Sequence, residues 1–315
     1  MYLPYLRGKQ FELIALREFA ALCPNCTTIL PIIEPVKSTY NSLNLAMDLF
    51  ISNNLKFALV LNPTDGDFKD SVVNLLDELP LLTNNTSSYI PAFLVTASGI
   101  ANIATIIRES SLDNVMLIFK ESINIEDYQV LDLISHGQVQ YIVSADTNSR
   151  QTNRYLRATG KHIIRLDDKF NEQKKNSDYL NTPEELFTDE YNYFNTEGDY
   201  YGFSDYTVLS KNFIDGGMRP YAIAIHLTYK KNNDEVWVRH FVSDTNDSPA
   251  NIQGKFEEAS RKSKDFFQAF DKTTAIDELI AMVDEERYPG LGVIKKISIR
   301  NHIELMNNIL SQSIQ

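Results

Sequence analysis

The amino-acid sequence predicts an α/β fold, a TIM-like (β/α)8 barrel with an extra β-hairpin and C-terminal helices. Eight short apolar runs end in polar or charged residues and alternate with segments of helical periodicity. Runs such as FALVL and VMLIF are continuously apolar, as parallel strands buried on both faces are. Their starts lie between 22 residues (Gln140 to His162) and 38 residues (His162 to Tyr200) apart, which fits one strand, one helix and two turns. The runs begin at Leu3, Ile29, Phe57, Ile90, Val115, Gln140, His162 and Tyr200.

Prolines and helical periodicity support the individual elements in order along the chain. Pro4, Pro31 and Pro91 stand at or next to the first residue of a predicted strand, where the sheet ladder does not need the missing N–H. Between the strands, apolar residues recur at three- and four-residue spacing, which predicts amphipathic helices. These predicted helices are Phe11–Ala21, Ser42–Ser52, Phe68–Leu79, Ile100–Arg108, Ile125–Ser135 and Arg150–Ala158.

A helix start is encoded after the seventh run. Thr182 fits the N-cap, Pro183 the first helical position and Glu185 the third, which together match a capping box. The pattern predicts a helix from Thr182 to about Tyr193.

The alternation of strands and helices stops after the eighth run. Residues 219–243 alternate apolar and polar side chains around a polar turn, which predicts a β-hairpin. We expect one barrel domain over residues 1–315, with a hairpin insertion at 209–250 over the carboxyl-terminal face of the barrel. In the alternative register, Tyr221–Leu227 is the eighth strand and Tyr200–Thr207 is an edge or lid segment. Helices are predicted near Ile252–Phe270, Ile276–Glu285 and Ile299–Leu310.

Composition and charge restrict the classes of function. The chain has 315 residues, enough for a barrel of about 250 residues and one insertion. Its 30 basic and 42 acidic residues give a net charge of −12, which argues against a broad surface for nucleic acid or an anionic membrane. The sequence contains no apolar run of about 18 residues and no signal-peptide pattern, so we expect a cytoplasmic protein.

The only two cysteines, Cys23 and Cys26, form a single Cys-Pro-Asn-Cys motif. One interpretation is a dithiol redox pair or half of a zinc site. We favour a plain turn, because the motif follows a predicted helix and precedes a strand, and the five His residues are scattered. In a barrel this turn lies on the amino-terminal face, away from the expected site.

Polar residues at the carboxyl ends of the strands are the candidate site residues. In a barrel these ends converge on one mouth, so acids and bases there could bind a phosphate or a carboxylate. We expect Glu34 and Asp205 to act as catalytic acid or base. The alternative is that such residues only cap strands and helices. The ligand-binding candidates are Arg7, Lys9, Lys37, Lys120 and Arg165.

Stronger catalytic signatures are absent from the sequence. It contains no HExxH, P-loop, Gly-rich dinucleotide fingerprint or GxSxG elbow. The sequence predicts no set of metal ligands, and the cofactor is unknown. A Mg²⁺ ion held by carboxylates is an alternative that the sequence leaves open. His226 and His240 lie on opposite arms of the predicted hairpin and could face one another, an arrangement that is more often structural than functional.

The segment from 189 to 206 combines aromatic and acidic residues. Large rings can anchor a protein partner, whereas the carboxylates among them repel a nucleic-acid backbone. We expect this segment and the hairpin to form or flank a partner-binding surface, with Tyr200, Tyr201 and Tyr206 as contact residues. Core packing of a helix and a strand is the alternative for part of the rings. The seven rings are Tyr191, Tyr193, Phe194, Tyr200, Tyr201, Phe203 and Tyr206.

Three short motifs are spaced along the chain. They are Tyr2-Leu3-Pro4 with Arg7, Lys9 and Glu12; Leu30-Pro31-Ile32-Ile33-Glu34; and Gly202-Phe203-Ser204-Asp205-Tyr206, followed by a strand pair ending near Trp237 and His240. Over about residues 1 to 270 this pattern resembles the bacterial and phage "beta protein" family. The resemblance implies a barrel-like fold and an association with phage-defence gene neighbourhoods, often beside a gene resembling a nuclease. It assigns Lys9, Glu34 and Asp205 to shared positions, and Ser204 and the Tyr-rich approach depart from the family pattern.

Two classes of function remain. In the first, the protein is a binding or regulatory component of a bacterial phage-defence system that acts with a nuclease-like partner protein. The acidic charge, the aromatic segment and the missing catalytic signatures favour this class. In the second, it is an enzyme that acts on a phosphorylated or carboxylated small molecule at the barrel mouth, which the charged strand-end residues favour. We favour the first class, with no membrane and no direct nucleic-acid binding.

Overall fold

The computed structural model describes residues 1–69, 74–79, 81–82, 87–216, 219–231 and 234–312. The chain divides into two compact units. The barrel unit consists of Met1–Lys9, Cys23–Asp168 and Glu190–Asp205. The second unit consists of Gln10–Leu22, Lys169–Asp189 and Tyr206–Gln315.

Eight parallel strands form the sheet of the barrel unit, and each pairs with the next along the chain. Tyr2 bridges to both Ile29 and Phe203, and the Leu3 N–H donates to the Phe203 carbonyl at 2.8 Å, so the first and last strands meet. The predicted TIM-like (β/α)8 barrel is confirmed. Its strands are β1 (Tyr5–Leu6), β2 (Ile32–Ile33), β3 (Phe57–Val60), β4 (Tyr89–Leu94), β5 (Val115–Phe119), β6 (Val139–Ala145), β7 (His162–Asp167) and β9 (Gly202–Asp205).

Helices follow most strands of the barrel unit, as the periodicity predicts. Asp127 and Ser149 cap two of them, because their side chains accept hydrogen bonds from backbone N–H groups of the first turn. The predicted helix Phe68–Leu79 includes residues 70–73, which lie outside the described residues, and a short 3-10 turn, Gly66–Phe68, precedes them. The helices are α2 (Asn41–Ser52), α3 (Ile100–Glu109), α4 (Tyr128–Ser135) and α5 (Arg150–Ala158).

The two faces of the barrel sheet are distinguished by helix contacts. Phe57 of β3 packs on Phe50 of α2, with ring centroids 5.4 Å apart, so its side chain is on the outer face. The neighbouring Ala58 points the opposite way, into the barrel, because successive strand residues alternate between faces. Its register partner Ile32 in β2 shares that inner face.

The second unit is built on a three-stranded antiparallel sheet, in which the middle strand pairs with one strand on each side. Strands β10 (Ala224–Lys231) and β11 (Glu235–Val242) form the predicted hairpin, which is confirmed. The alternative register is wrong, because Gly202–Asp205 completes the parallel sheet and β10 belongs to the antiparallel one.

The predicted helix from Thr182 to Tyr193 is wrong. Glu184–Thr188 forms β8, which pairs antiparallel with β11. Glu184 accepts from Arg239 of β11 at 2.9 Å and also from Lys231 of β10, so both charges are satisfied across the sheet. Pairing with a strand about 50 residues away overrides a capping signal, because local propensity is worth less than about 1 kcal/mol per residue.

Helices pack on the sheet of the second unit. Tyr229, Phe241, Phe256, Phe267 and Ile297 are among the buried residues of its apolar core. No helix among the described residues is both long and apolar enough to cross a membrane. The helices are α1 (Gln10–Leu22), α6 (Ile252–Phe266), α7 (Thr274–Asp284) and α8 (Leu291–Gln312).

Candidate active site at the barrel mouth

Charged side chains from three strands meet around one buried carboxylate, that of Glu34. Glu34 follows β2 and is 0% exposed. Lys120, directly after β5, donates from Nζ to Glu34 Oε2 at 2.8 Å. Tyr5 of β1 donates from its hydroxyl to the same oxygen at 2.6 Å, and Arg7 Nε lies 3.7 Å from it. We call these four residues the mouth cluster.

The strand register explains why these side chains meet. Ile32, two residues before Glu34, is in register with Tyr5 of β1 and Ala58 of β3. The register of β3 with β4, and of β4 with β5, places Met116 of β5 on this same face. Met116 is four residues before Lys120. All these positions share the inner face, because the side-chain period along a strand is two residues. The cluster therefore lies inside the barrel at the carboxyl ends of its strands.

The loop after β3 adds a second layer of acids. Asp65 accepts from Arg7 Nε at 3.0 Å, and the Thr64 backbone N–H donates to Glu34 Oε1 at 3.4 Å. The side chain of Asp65 is 27% exposed, so this layer faces the opening. Lys37, another predicted ligand-binding residue, pairs with Asp67 at 3.3 Å and is half exposed.

The charges in the mouth cluster shift one another's ionisation. Burial alone would raise the pKa of Glu34, but Lys120, Arg7 and the hydrogen bonds from Lys120 and Tyr5 bring it below its ordinary value. Burial lowers the pKa of Lys120, which the Glu34 carboxylate opposes and Arg7 reinforces. Glu34 is therefore a fixed anion at neutral pH, whereas Lys120 releases its proton more readily than an ordinary lysine.

Arg165 and Asp205 are not brought to the mouth cluster. Arg165 follows Ile164, which lies on the inner face through its register partner Val143, so Arg165 points outward. It pairs with Asp167 at 2.8 Å, and Asp205, in register with Asp167, accepts from the Tyr2 hydroxyl at 2.7 Å.

The strand-end rule fixes the edge at which a residue lies but not the face to which it points. This is the physical reason that Arg165 and Asp205 separate from Glu34. Lys9 lies three residues beyond β1 and is partly exposed. Tyr5, Thr64 and Asp65 were not among the sequence-predicted site residues. The sequence contained a signal for Tyr5, because it lies two residues before Arg7 and so shares its face.

The aromatic segment divides between interior and surface. Tyr191, Phe194, Phe203 and Tyr206 are buried, and Tyr206 is only 5% exposed, which leaves it little surface for a partner. Tyr193 and Tyr201 are 44% and 38% exposed, and Tyr200 is partly exposed. Tyr201 stacks near His162 with ring centroids 4.0 Å apart, and Arg157 lies over Tyr200 at 5.6 Å.

The chain matches no protein-family model, no curated protein and no solved structure. The resemblance to the beta protein family therefore stays a prediction.

Proposed function

We propose that the protein is an enzyme that binds a small phosphorylated or carboxylated molecule at the barrel mouth, with Lys120 as the group that meets its anion. The observation that carries the proposal is the Glu34–Lys120 pair, in which a fully buried carboxylate holds a lysine at the opening. An ammonium has three donors, and Glu34 accepts one of them. The side chain of Lys120 is 27% exposed, so its remaining donors can reach a ligand.

In this proposal Glu34 positions other groups rather than exchanging a proton. It accepts from Tyr5, Lys120 and the Thr64 backbone, and the pKa shift keeps it ionised. Lys120 is the group that can give up a proton, because burial lowers the pKa of its ammonium group. Asp205 has no part in this chemistry, because it points to the outer face.

The test is ligand-induced thermal stabilisation of the full chain against a panel of phosphate monoesters and small carboxylates. A ligand present at about 100 times its Kd stabilises the folded state by about 2.7 kcal/mol, which raises Tm by several degrees. Lys120→Met should abolish this shift, and Lys120→Arg should retain part of it.

Lys161→Met is the matched control, because it makes the same change at a partly buried lysine that directly precedes β7, at the amino-terminal end of the barrel strands, and donates to the Val139 carbonyl at 2.6 Å. Stabilisation by the same ligand should survive in that variant. Equal stabilisation of the wild type and Lys120→Met, or no stabilisation by any member of the panel, would contradict the proposal.

A second candidate is the predicted role as a binding component that acts with a nuclease-like partner in phage defence. The exposure of Tyr193, Tyr200 and Tyr201 favours it, since exposed rings supply contact area at low entropic cost. Co-purification with the products of neighbouring genes tests it. The variant Tyr193→Ala/Tyr201→Ala should lose the partner, and Tyr128→Ala, which removes a ring that is 76% exposed on α4, should keep it. Equal recovery of the partner with both variants would exclude this surface.

A further inference from the structure

Two histidines face each other across the hairpin of the second unit. His226 of β10 and His240 of β11 are directly opposite in the antiparallel register. Their Nδ1 atoms are 2.7 Å apart, and the ring planes are inclined by 76°. Side chains directly opposite in such a pair are close enough for both imidazoles to contact one small object.

A carboxylate lies on the far side of one ring. The Oε1 atom of Glu185, on β8, lies 3.3 Å from His240 Nε2. This contact makes Nε2 the protonated nitrogen of neutral His240, so His240 Nδ1 carries a lone pair directed at His226. A histidine that binds a metal through one nitrogen commonly donates its other N–H to a carboxylate in this way.

Two aromatic rings border the histidine pair. The rings of Phe170 and Tyr179 lie beside the pair, with centroids 5.1 Å and 4.6 Å from that of His226.

We propose that His226 and His240 bind a divalent transition-metal ion, Zn²⁺ or Cu²⁺, through their Nδ1 atoms, and that Glu185 orients His240 for it. Imidazole nitrogen suits these ions, and Mg²⁺ or Ca²⁺ would require oxygen ligands. The ion takes the place of the proton between the two Nδ1 atoms. That proton leaves to solvent and His226 Nε2 takes one up, so the ring stays neutral, and the Nδ1 atoms separate to about 3.3 Å, the span of two Zn–N bonds at a tetrahedral angle.

The proposed site has two protein ligands and open coordination positions. No group of three or more His, Cys, Asp or Glu residues suited to a metal ion occurs in the part of the chain that the structure describes. Water or a solute must therefore complete the shell, as it does in metal sites that keep an open position. His240 is buried at 3% exposure, whereas His226 retains intermediate exposure, through which an ion can enter.

The experiment uses the full chain without an affinity tag and with Cys23→Ser/Cys26→Ser as background, so that thiols do not compete for the ion. Zn²⁺ affinity is measured by competition with a chromophoric chelator. We expect about one equivalent per chain and a loss of affinity of about tenfold or more in His226→Gln. Glu185→Gln should weaken binding by about tenfold, because the orienting carboxylate is lost. His162→Gln, at an exposed histidine of the barrel unit, is the matched control and should bind as the background protein does.

A spectroscopic measurement keeps the proposal testable if a histidine variant unfolds. The electron paramagnetic resonance spectrum of Cu²⁺ bound to the unsubstituted histidine pair should show hyperfine coupling to two equivalent imidazole nitrogens. Coupling to one nitrogen or none would overturn the proposal, as would unchanged Zn²⁺ affinity in a folded His226→Gln protein.

Discussion

Each unit contains a group of charged side chains that neutralise one another, and the two groups differ in their access to solvent. In the mouth cluster one buried carboxylate, Glu34, serves Lys120 and Arg7, and Lys120 is 27% exposed. In the second unit Lys296 and Arg300 of α8 share two carboxylates, Glu18 of α1 and Glu278 of α7, and both cations have side chains only 7% exposed.

The difference shows how the same chemistry serves two purposes. In the α8 group the cations are inside and the acids of α1 and α7 reach outward, so the two cations join three helices. Arg300 also pairs with Glu304 of α8 itself at 2.9 Å. In the mouth cluster the acid is inside and the lysine reaches outward, so the anion fixes a cation that a ligand can still contact. Whether the acid or the cation is the buried member, rather than the number of ion pairs, separates a structural group from a candidate site.

The largest effect is expected from breaking the α8 group. Arg300→Met should lower the free energy of unfolding by about 3 kcal/mol, because it removes the guanidinium from the buried Glu304 and leaves Glu18 and Glu278 with Lys296 alone. The loss is at the lower end of the range for buried pairs, since Glu18 and Glu278 are partly exposed. Urea unfolding of the full chain measures it, with Arg261→Met, at an exposed helix pair, as control. A loss equal to that of the control would mean that α8 is held by its apolar contacts alone.

Breaking the mouth cluster at its centre should cost less. Glu34→Gln should lower the free energy of unfolding by about 2 kcal/mol at neutral pH, because an amide replaces a carboxylate that accepts charged hydrogen bonds. Asp65 still accepts from Arg7, which limits the loss. The same variant should lose the ligand-induced Tm shift, since Lys120 is no longer fixed. Retention of both stability and ligand response would show that Glu34 does not organise the mouth.

Acid titration sharpens the comparison further. The pKa of Glu34 in the folded protein is below its ordinary value of 4.5, so Glu34 contributes stability at higher pH that is lost as the pH falls through the folded value. The free energy of unfolding should therefore fall more steeply in the wild type than in Glu34→Gln as the pH drops below 4.5. If the free energy of unfolding of the two proteins falls with the same slope below this pH, Glu34 is not the group responsible.

The smallest effect is expected at the Cys-Pro-Asn-Cys motif. Neither Cys23 nor Cys26 is in a disulfide, and Cys26 Sγ lies 3.4 Å from the Thr28 hydroxyl. Cys23→Ser/Cys26→Ser should change the free energy of unfolding by less than about 1 kcal/mol and leave activity unchanged, because Ser keeps a polar atom in the same turn. Stoichiometric zinc that is lost in this variant together with folding would mean that the thiols form a metal site.

The barrel was predictable because its signal is local. Runs such as Phe57–Val60 and Val115–Phe119 are short and continuously apolar, and the helices between them show their period directly in the sequence. The antiparallel hairpin was predictable for the same reason, through the alternation on either side of its turn.

Other features depend on contacts that no local pattern encodes. The sequence at Glu184–Thr188 matches the start of a helix, but the segment forms a strand because it pairs with β11. The inner or outer direction of Glu34, Arg165 and Asp205 depends on register across the barrel, and a shift of one residue reverses it. The grouping of α1 with α8 rests on Glu18 and two cations about 280 residues later in the chain.

The closure of the barrel by Tyr2 determines when the fold can form during synthesis. Where the first and last strands meet, Tyr2 pairs with Phe203. The Tyr2 hydroxyl donates to Asp205, which is 203 residues later in the chain. At about 5 to 20 residues per second, a ribosome takes roughly 10 to 40 seconds to supply that partner. Throughout this interval the first strand has an open edge, which is a template for wrong pairing. A slowed ribosome should therefore raise the yield of aggregated chain more than it would for a protein whose first strand pairs only with its neighbour.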